Sequence, residues 1–277
     1  MDRLQAAIRQ ARAARATLMQ PIGQGDIAPT HIPQDEWEML PRLDADPDHL
    51  AKGRIVTVED TAKSAPFDVL RTRLVQQALA NDWRRIAITS PGPGCGKSTV
   101  TMNLAFSLAR QPDLRTIVVD LDLRRPVMAK MLGVSRGQNV ATAIRGLTPA
   151  ADQMVRVGEN LAFATTAEPV RDPSTLMQGR VMTAFLDQLT EQFAPDLVLI
   201  DLPPVMVSDD AIAFLPHADA AMMIAAAEDS TLGQVDAAER ELASRTNVLG
   251  VVLNKCNHPG EGHAYGYGYD YGEAPAA

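Results

Sequence analysis

From residue 85 onward the chain alternates short runs that are apolar at nearly every position with longer stretches whose apolar side chains recur every three or four residues. The first pattern marks strands buried on both faces, and the second marks helices that cover them. Strands are predicted at Arg85 to Thr89, Thr116 to Leu121, Leu197 to Asp201, Ala220 to Ala226 and Val248 to Asn254, with a weaker one at Leu161 to Ala164. Helices are predicted over Thr99 to Arg110, over Ser174 to Phe193 with an interruption near Gly179, over Asp209 to Leu215 and over Leu232 to Ser244. Short ones are expected near Val127 to Leu132 and Val140 to Arg145. Ahead of the first strand, Phe67, Leu70, Leu74 and Ala78 keep helical spacing from Ala65 to Ala80. Strands alternating with helices predict an α/β fold, a mostly parallel sheet with helices on both faces.

Outside this pattern lie three other segments. Residues 1–20 read as an amphipathic helix with Leu4, Ile8, Ala11 and Leu18 on one face and a basic set of Arg3, Arg9, Arg12 and Arg15. Such a helix serves equally as a solvated helix packed on its own domain or as a docking element for an anionic membrane surface or a partner helix. Residues 21–60 have linker composition: five prolines precede Arg54, periodicity is absent, and Asp44, Asp46 and Asp48 form an acidic patch. The folded domain is then expected over residues 61–257, followed by a flexible tail, 258–277.

Composition narrows the setting. A net charge of −8 with a pI near 5.1 argues against nucleic acid as a partner. Two cysteines, Cys95 and Cys256, and no apolar leader core lead to the expectation of a cytoplasmic protein. The longest nearly uncharged apolar stretch, Ala218 to Ala227 broken by Asp219, is too short to span a bilayer.

The first strand runs into Ser90-Pro91-Gly92-Pro93-Gly94-Cys95-Gly96-Lys97-Ser98-Thr99. Strand, glycine-rich turn and Gly-Lys-Ser at a helix start make a phosphate-binding loop. Gly92, Gly94 and Gly96 let backbone N–H groups close around phosphate oxygens, beside a helix N-terminus that favours negative charge. Lys97 is placed to reach the β- and γ-phosphates and Ser98 to bind Mg²⁺. Pro91 stands where the usual pattern begins with glycine. Cys95 within the loop is either a small tolerated side chain or a point where oxidation would block nucleotide.

The second strand ends in Asp120-Leu121-Asp122-Leu123-Arg124-Arg125-Pro126, two carboxylates at alternate positions that point the same way. Asp122 alone could cap a following helix, but Asp120 closes a wholly apolar run, where a charge without a nearby cation is costly. A third apolar strand ends in Asp201-Leu202-Pro203-Pro204, the arrangement that holds the Mg²⁺ shell in phosphate-loop proteins. Ligands of open α/β sheets bind at the carboxyl ends of the strands, so Lys97, Ser98, Asp120, Asp122 and Asp201 are expected to converge on one ATP and Mg²⁺ site. All four tyrosines of the chain, Tyr265, Tyr267, Tyr269 and Tyr271, alternate along the tail. They read as a low-complexity tail, as a strand that adds to a sheet edge, or as a cluster of phosphoacceptors.

With these motifs in place the sequence resembles the bacterial tyrosine kinases, or BY-kinases, of capsule and exopolysaccharide export. The likeness runs from about Phe67 to the C-terminus; Asp120-x-Asp122-x-Arg124-Arg125-Pro126 and the tyrosine cluster are its specific parts, the other motifs being shared with septum-positioning and partitioning ATPases. The start, Leu4 to Arg12, is also similar to the start of some members. The resemblance implies a P-loop NTPase fold, with Lys97, Ser98 and Thr99 on phosphate, and Ser98, Asp120 and Asp201 around the metal. It also implies that Asp122 orients or deprotonates the tyrosine hydroxyl, and that Asn254, ending the last strand, contacts adenine, although a polar strand end reads as well. The implied activity is ATP-dependent tyrosine autophosphorylation between subunits of a homo-oligomer, regulating polysaccharide polymerisation and export. The implied partner is a membrane-embedded chain-length regulator whose cytoplasmic segment brings the chain to the membrane face. The ring-assembly pattern Glu-x-x-Arg-x-x-Arg of many members reads Ala65, Asp68 and Arg71 here. The alternatives are a positioning ATPase without kinase activity and a nucleotide-binding regulatory partner.

Overall fold

The computed structural model describes residues 36–134 and 137–256. Strand β1 (Arg85–Thr89) lies inside the sheet, with β5 (Leu197–Asp201) on one side and β6 (Ala220–Ala226) on the other. Beyond β5 come β2 (Thr116–Asp120), β4 (Leu161–Ala164) and β3 (Met154–Val157), and beyond β6 comes β7 (Asn247–Asn254). The order is β3-β4-β2-β5-β1-β6-β7, parallel throughout except for β3, which pairs antiparallel to β4.

Successive strand residues face opposite sides, and both sides are apolar. Ile86, Ile88, Val118 and Leu199 point into one core, and Ala87, Ile117, Val119 and Ile200 into the other. The first core is covered by α1 (Pro47–Lys52), α2 (Ala65–Asn81), α3 (Lys97–Ala109) and α4 (Met128–Leu132). The second is covered by α5 (Val140–Ile144), α6 (Pro173–Gln178), α7 (Arg180–Phe193), α8 (Asp209–Phe214) and α9 (Leu232–Ala243). Local signals set the helix ends. Ser208 and Asn139 cap α8 and α5, and Thr231 with Gln234 makes a reciprocal capping box on α9. Gly179, extended at φ −79° and ψ 159°, ends α6 and starts α7, the interruption expected from the sequence.

The structure departs from the sequence reading ahead of residue 61. Trp37 is fully buried; its indole Nε1 donates to the Glu159 carbonyl at 2.7 Å, and the Arg115 guanidinium stacks 5.4 Å from its ring centre. Leu43 N–H donates to the Arg156 carbonyl and Arg156 N–H to the Pro41 carbonyl, both at 2.8 Å, so this segment pairs along the outer edge of β3. Asp46 then caps α1, whose first position is Pro47, and Leu50, Ile55 and Thr57 are buried. The folded unit therefore takes in residues from Trp37 on, rather than starting at 61. Of the prolines in this segment, Pro41 and Pro47 lie among the described residues, and both occupy tolerated places, a strap at a strand edge and the first turn of a helix. The sequence reading also missed β3 and α1. The helix expected over 1–20, the rest of the linker and the tyrosine tail lie outside the described residues.

The charges of α2 that correspond to the ring-assembly pattern turn inward. The Asp68 carboxylate accepts from Ser107 Oγ at 2.6 Å, from Arg71 at 3.2 Å and from Arg110. Burial pushes its ionisation upward, but these donors outweigh it and hold Asp68 below the usual aspartate value.

Truncating Trp37 to alanine empties a fully buried site and orphans the Glu159 carbonyl, so Trp37→Ala is expected to lower unfolding stability by about 3–5 kcal/mol in chemical denaturation. A chain begun at residue 61 is expected to lose its cooperative transition; if residues 36–60 were only a linker, neither change would register.

Candidate nucleotide site

The site follows from strand register. β2 and β5 are neighbours in which Asp120 pairs with Asp201, so two carboxylates stand side by side where both strands end. β1 pairs with β5 one strand over, and the loop after β1 turns across these ends into α3. Asp120 and Asp201 are fully buried, and Asp122 and Ser98 nearly so.

The loop's backbone explains its glycines at two positions. Gly96 takes φ +87° at the start of α3, and a β-carbon there would collide with the Asn254 side-chain amide. Gly94 takes φ +78°, a conformation costly for other residues. Asn254 Nδ2 donates to the Cys95 carbonyl at 2.9 Å, so the end of β7 holds the loop from behind. Cys95 is buried, with Sγ 3.3 Å from the Gly92 carbonyl and 3.6 Å from Ser230 Oγ. Ser90 Oγ donates to the Gly92 carbonyl at 2.7 Å and tightens the turn.

Lys97 Nζ lies 2.6 Å from Asp122 Oδ2, and Ser98 Oγ donates to Asp201 Oδ2 at 2.6 Å. Thr101, one turn along α3, reaches Asp201 Oδ1 at 3.4 Å. Asp120 accepts from the backbone N–H groups of Asp122 at 3.3 Å and Met128 at 3.2 Å. Lys97, Ser98, Asp120, Asp122 and Asp201 are thus brought together as one cluster. Thr99 lines an adjoining cavity of about 340 Å³ that also touches Gly94, Gly96 and Met131, while a larger cavity of about 580 Å³ opens past Lys97 and Asp122. The four tail tyrosines lie outside the described residues.

Electrostatics reveal what the cluster lacks. Burial raises the Asp201 pKa from 3.8 to about 6, although Lys97 and the Ser98 hydrogen bond pull the other way. Burial, then the Asp201 charge, pushes Asp120 well above the ordinary aspartate value despite the Met128 N–H bond. Burial alone would lower the Lys97 pKa, but Asp201, Asp122 and Asp120 raise it. Two adjacent buried carboxylates held out of their ordinary range, beside a serine hydroxyl, form a donor set that suits a divalent cation sharing phosphate oxygens.

Two features escaped the sequence reading. Arg124 forks onto the buried Asp210 carboxylate, Nε at 2.6 Å and Nη2 at 3.0 Å, and ties the loop after β2 to the start of α8. The Arg-Arg-Pro and Ser-Asp-Asp runs were visible, but only the fold makes them neighbours. Thr101 was hidden for the same reason, being one helical turn beyond Lys97.

The loop, the paired strand-end carboxylates and the sheet order define a P-loop nucleotide-binding protein. Residues 83–264 match the family described as ParA: NUBPL iron-transfer P-loop NTPase. The chain is 30% identical over 176 residues to the tyrosine-protein kinase CpsD of Streptococcus pneumoniae, covering 61% of this chain and 75% of that protein. It is 32% identical over 200 residues to EpsB of Ralstonia nicotianae, which bears a tyrosine-protein kinase name; there the match covers 71% of this chain but only 26% of the relative, about a quarter of its length. Among solved structures, the chimerical protein CapA2B2 aligns over 79% of this chain and 96% of that one at 25% identity and TM-score 0.66. The kinase domain of Escherichia coli tyrosine kinase ETK shares the fold at TM-score 0.69 and 23% identity, covering 87% and 93%. The chain belongs to the ParA-type P-loop family and, within it, to the bacterial tyrosine kinases of the CpsD kind.

The raised Asp201 pKa gives a pH prediction. Unfolded, Asp201 ionises near 3.8; folded, near 6, so its contribution is favourable below about pH 4 and is lost as pH rises through 6. In chelator, without nucleotide, Asp201→Asn is expected to be more stable than the parent by up to about 3 kcal/mol at pH 7.5. The gap should close below about pH 4 in urea titrations; a gap independent of pH would refute the assignment.

Proposed function

We propose that the chain is an ATP-dependent protein-tyrosine kinase that phosphorylates the tyrosines of its own tail between subunits and regulates polysaccharide polymerisation and export. The observation that carries this reading is Asp122. It stands beyond the two buried metal-type carboxylates, beside the loop lysine, and faces the open cavity rather than the sheet. A phosphate-loop protein that only hydrolyses nucleotide needs room for a water alone, whereas Asp122 lines a cavity of about 580 Å³ that has room for a phenol and its hydroxyl.

The roles follow from placement. Loop backbone N–H groups and Lys97 hold the phosphates of ATP, and Ser98, Asp120 and Asp201 would hold Mg²⁺. Bound there, Mg²⁺ supplies charge stabilisation for the γ-phosphoryl group and its leaving ADP. The phenol, with a pKa near about 10, gives its proton to Asp122 as its oxygen forms the new bond to the γ-phosphorus. The bond from that phosphorus to the β-phosphate oxygen breaks, and ADP departs. Without nucleotide, Lys97 neutralises Asp122 at 2.6 Å; ATP draws Lys97 to its phosphates and frees the carboxylate, so the base becomes available with its phosphoryl donor.

Among the described residues no helix is long and apolar enough to cross a membrane. Membrane association is assigned, on the resemblance to the capsule kinases, to a partner, the cytoplasmic segment of a membrane-embedded chain-length regulator. The basic helix at residues 1–20 is the candidate for a second tether.

Incubated with Mg²⁺ and ATP, the purified chain is expected to gain phosphate on Tyr265, Tyr267, Tyr269 and Tyr271 by mass spectrometry. Lys97→Met and Asp122→Asn are each expected to reduce this by at least about a hundredfold. Steady ATP hydrolysis without phosphotyrosine would mark a positioning ATPase instead. Activity is expected to be low alone and to rise when the partner's cytoplasmic segment is added. Deleting residues 1–20 is expected to lower recovery with the membrane fraction while nucleotide affinity holds; unchanged fractionation would remove the tether.

A further inference from the structure

The turn after β2 carries two consecutive arginines with different fates. Arg124 is committed: its fork closes on Asp210, and Asp209 lies 3.5 Å from Nη2. Arg125 is exposed on the wall of the 580 Å³ cavity and, among the described residues, has no side-chain hydrogen bond or ion pair. The Arg125 N–H donates to the Asp122 carbonyl at 3.0 Å, closing a turn between them. The α-carbons of Asp122 and Arg125 are therefore less than about 7 Å apart. Pro93, Val127, Pro203 and Val207 give the same cavity apolar walls that suit a phenol ring. The cavity is thus lined by a base and, three residues on across one backbone turn, by a guanidinium with no side-chain partner among the described residues.

An extended peptide presents residues i and i+2 on one face, about 7 Å apart. That span is of the same order as the limit on the Asp122 to Arg125 α-carbon separation, and the long arginine side chain can reach across it. We infer that Arg125 is a specificity-determining residue that reads an anionic group two residues beyond the acceptor tyrosine, so that the tail is phosphorylated in order from its C-terminal end. The inference rests on the kinase reading above. In the tail only Tyr271 has a carboxylate in that register, Glu273 at two residues beyond; Tyr269, Tyr267 and Tyr265 are each followed at that position by another tyrosine. Glu273 admits Tyr271 first. The phosphate placed on Tyr271 carries nearly two negative charges and is a stronger partner for the guanidinium fork than the carboxylate. It then admits Tyr269, whose phosphate admits Tyr267, and so on to Tyr265. Tyrosines at alternate positions are the spacing such a relay needs.

The test is a time course of the purified full chain with Mg²⁺ and ATP, read by site-resolved phosphopeptide mass spectrometry. The expected first product is phosphate on Tyr271 alone, and the second is phosphate on Tyr271 and Tyr269. Glu273→Gln should slow the first transfer about tenfold, and Arg125→Ala should make singly phosphorylated tails an even mixture, a fluorescent ATP analogue confirming that the variant still folds. Peptides spanning residues 265–273 separate the two anions. One synthesised with phosphotyrosine at 271 should be used at Tyr269 with a KM about tenfold lower than one with phenylalanine there, at similar kcat, and Arg125→Ala should erase that difference. An even mixture from the parent chain, or an intact order in Arg125→Ala, overturns the subsite while leaving the kinase reading in place. Absence of phosphotyrosine from every sample overturns the kinase reading itself.

Discussion

The register that sets Asp120 beside Asp201 is the constraint on which the rest of the site depends. Two fully buried carboxylates at the ends of adjacent strands repel each other and lack water, and the protein alone offers only Lys97, two hydroxyls and backbone N–H groups in return. A cation bound there with phosphates would remove that penalty, so part of such a ligand's affinity would be stored in the unliganded fold as destabilisation. The two sealed hydrophobic cores on either side of the sheet are what make such storage tolerable.

Most of the sheet was readable because buried parallel strands leave little choice of residue. β1, β4, β5 and β6 fall where their apolar runs predict, and Asp120 and Asp201 end β2 and β5 as expected. The failures have a common cause. α1 and the strap before it are short, proline-bearing and held by contacts distant in sequence, His49 with Lys130 for the helix and Trp37 with Glu159 for the strap, so no local period announces them. β3 is an edge strand of four residues, Met154-Val155-Arg156-Val157, too few for a period to stand out. Asp210 stands in the first turn of α8, and only the approach of Arg124 from another strand end shows its use.

The strap also explains how the sheet's edges differ. The outer side of β3 is closed by pairing with residues 41–43, the covering that protects an exposed strand from another chain. β7, at the opposite edge, leaves Val251 and Leu253 exposed, and its last residue, Asn254, holds the phosphate loop. The strand that leads directly into the tyrosine tail is therefore in mechanical contact with the nucleotide loop.

Charge pairing around the cavity separates what is fixed from what can move. Arg124 and Asp210 form a two-pronged contact with a fully buried carboxylate, and its rupture would strand that charge; it acts as a permanent tie between the loops after β2 and β5. Lys97 and Asp122 are joined at a single point, and on the proposed kinase reading each gains a second partner, phosphate for one and an acceptor hydroxyl for the other. The first pair therefore sets the geometry of the cavity, while the second can exchange without leaving a buried charge alone. On that same reading the division would keep the site inert until both nucleotide and acceptor arrive: a rigid wall, and one ion pair whose opening is compensated only by ligand.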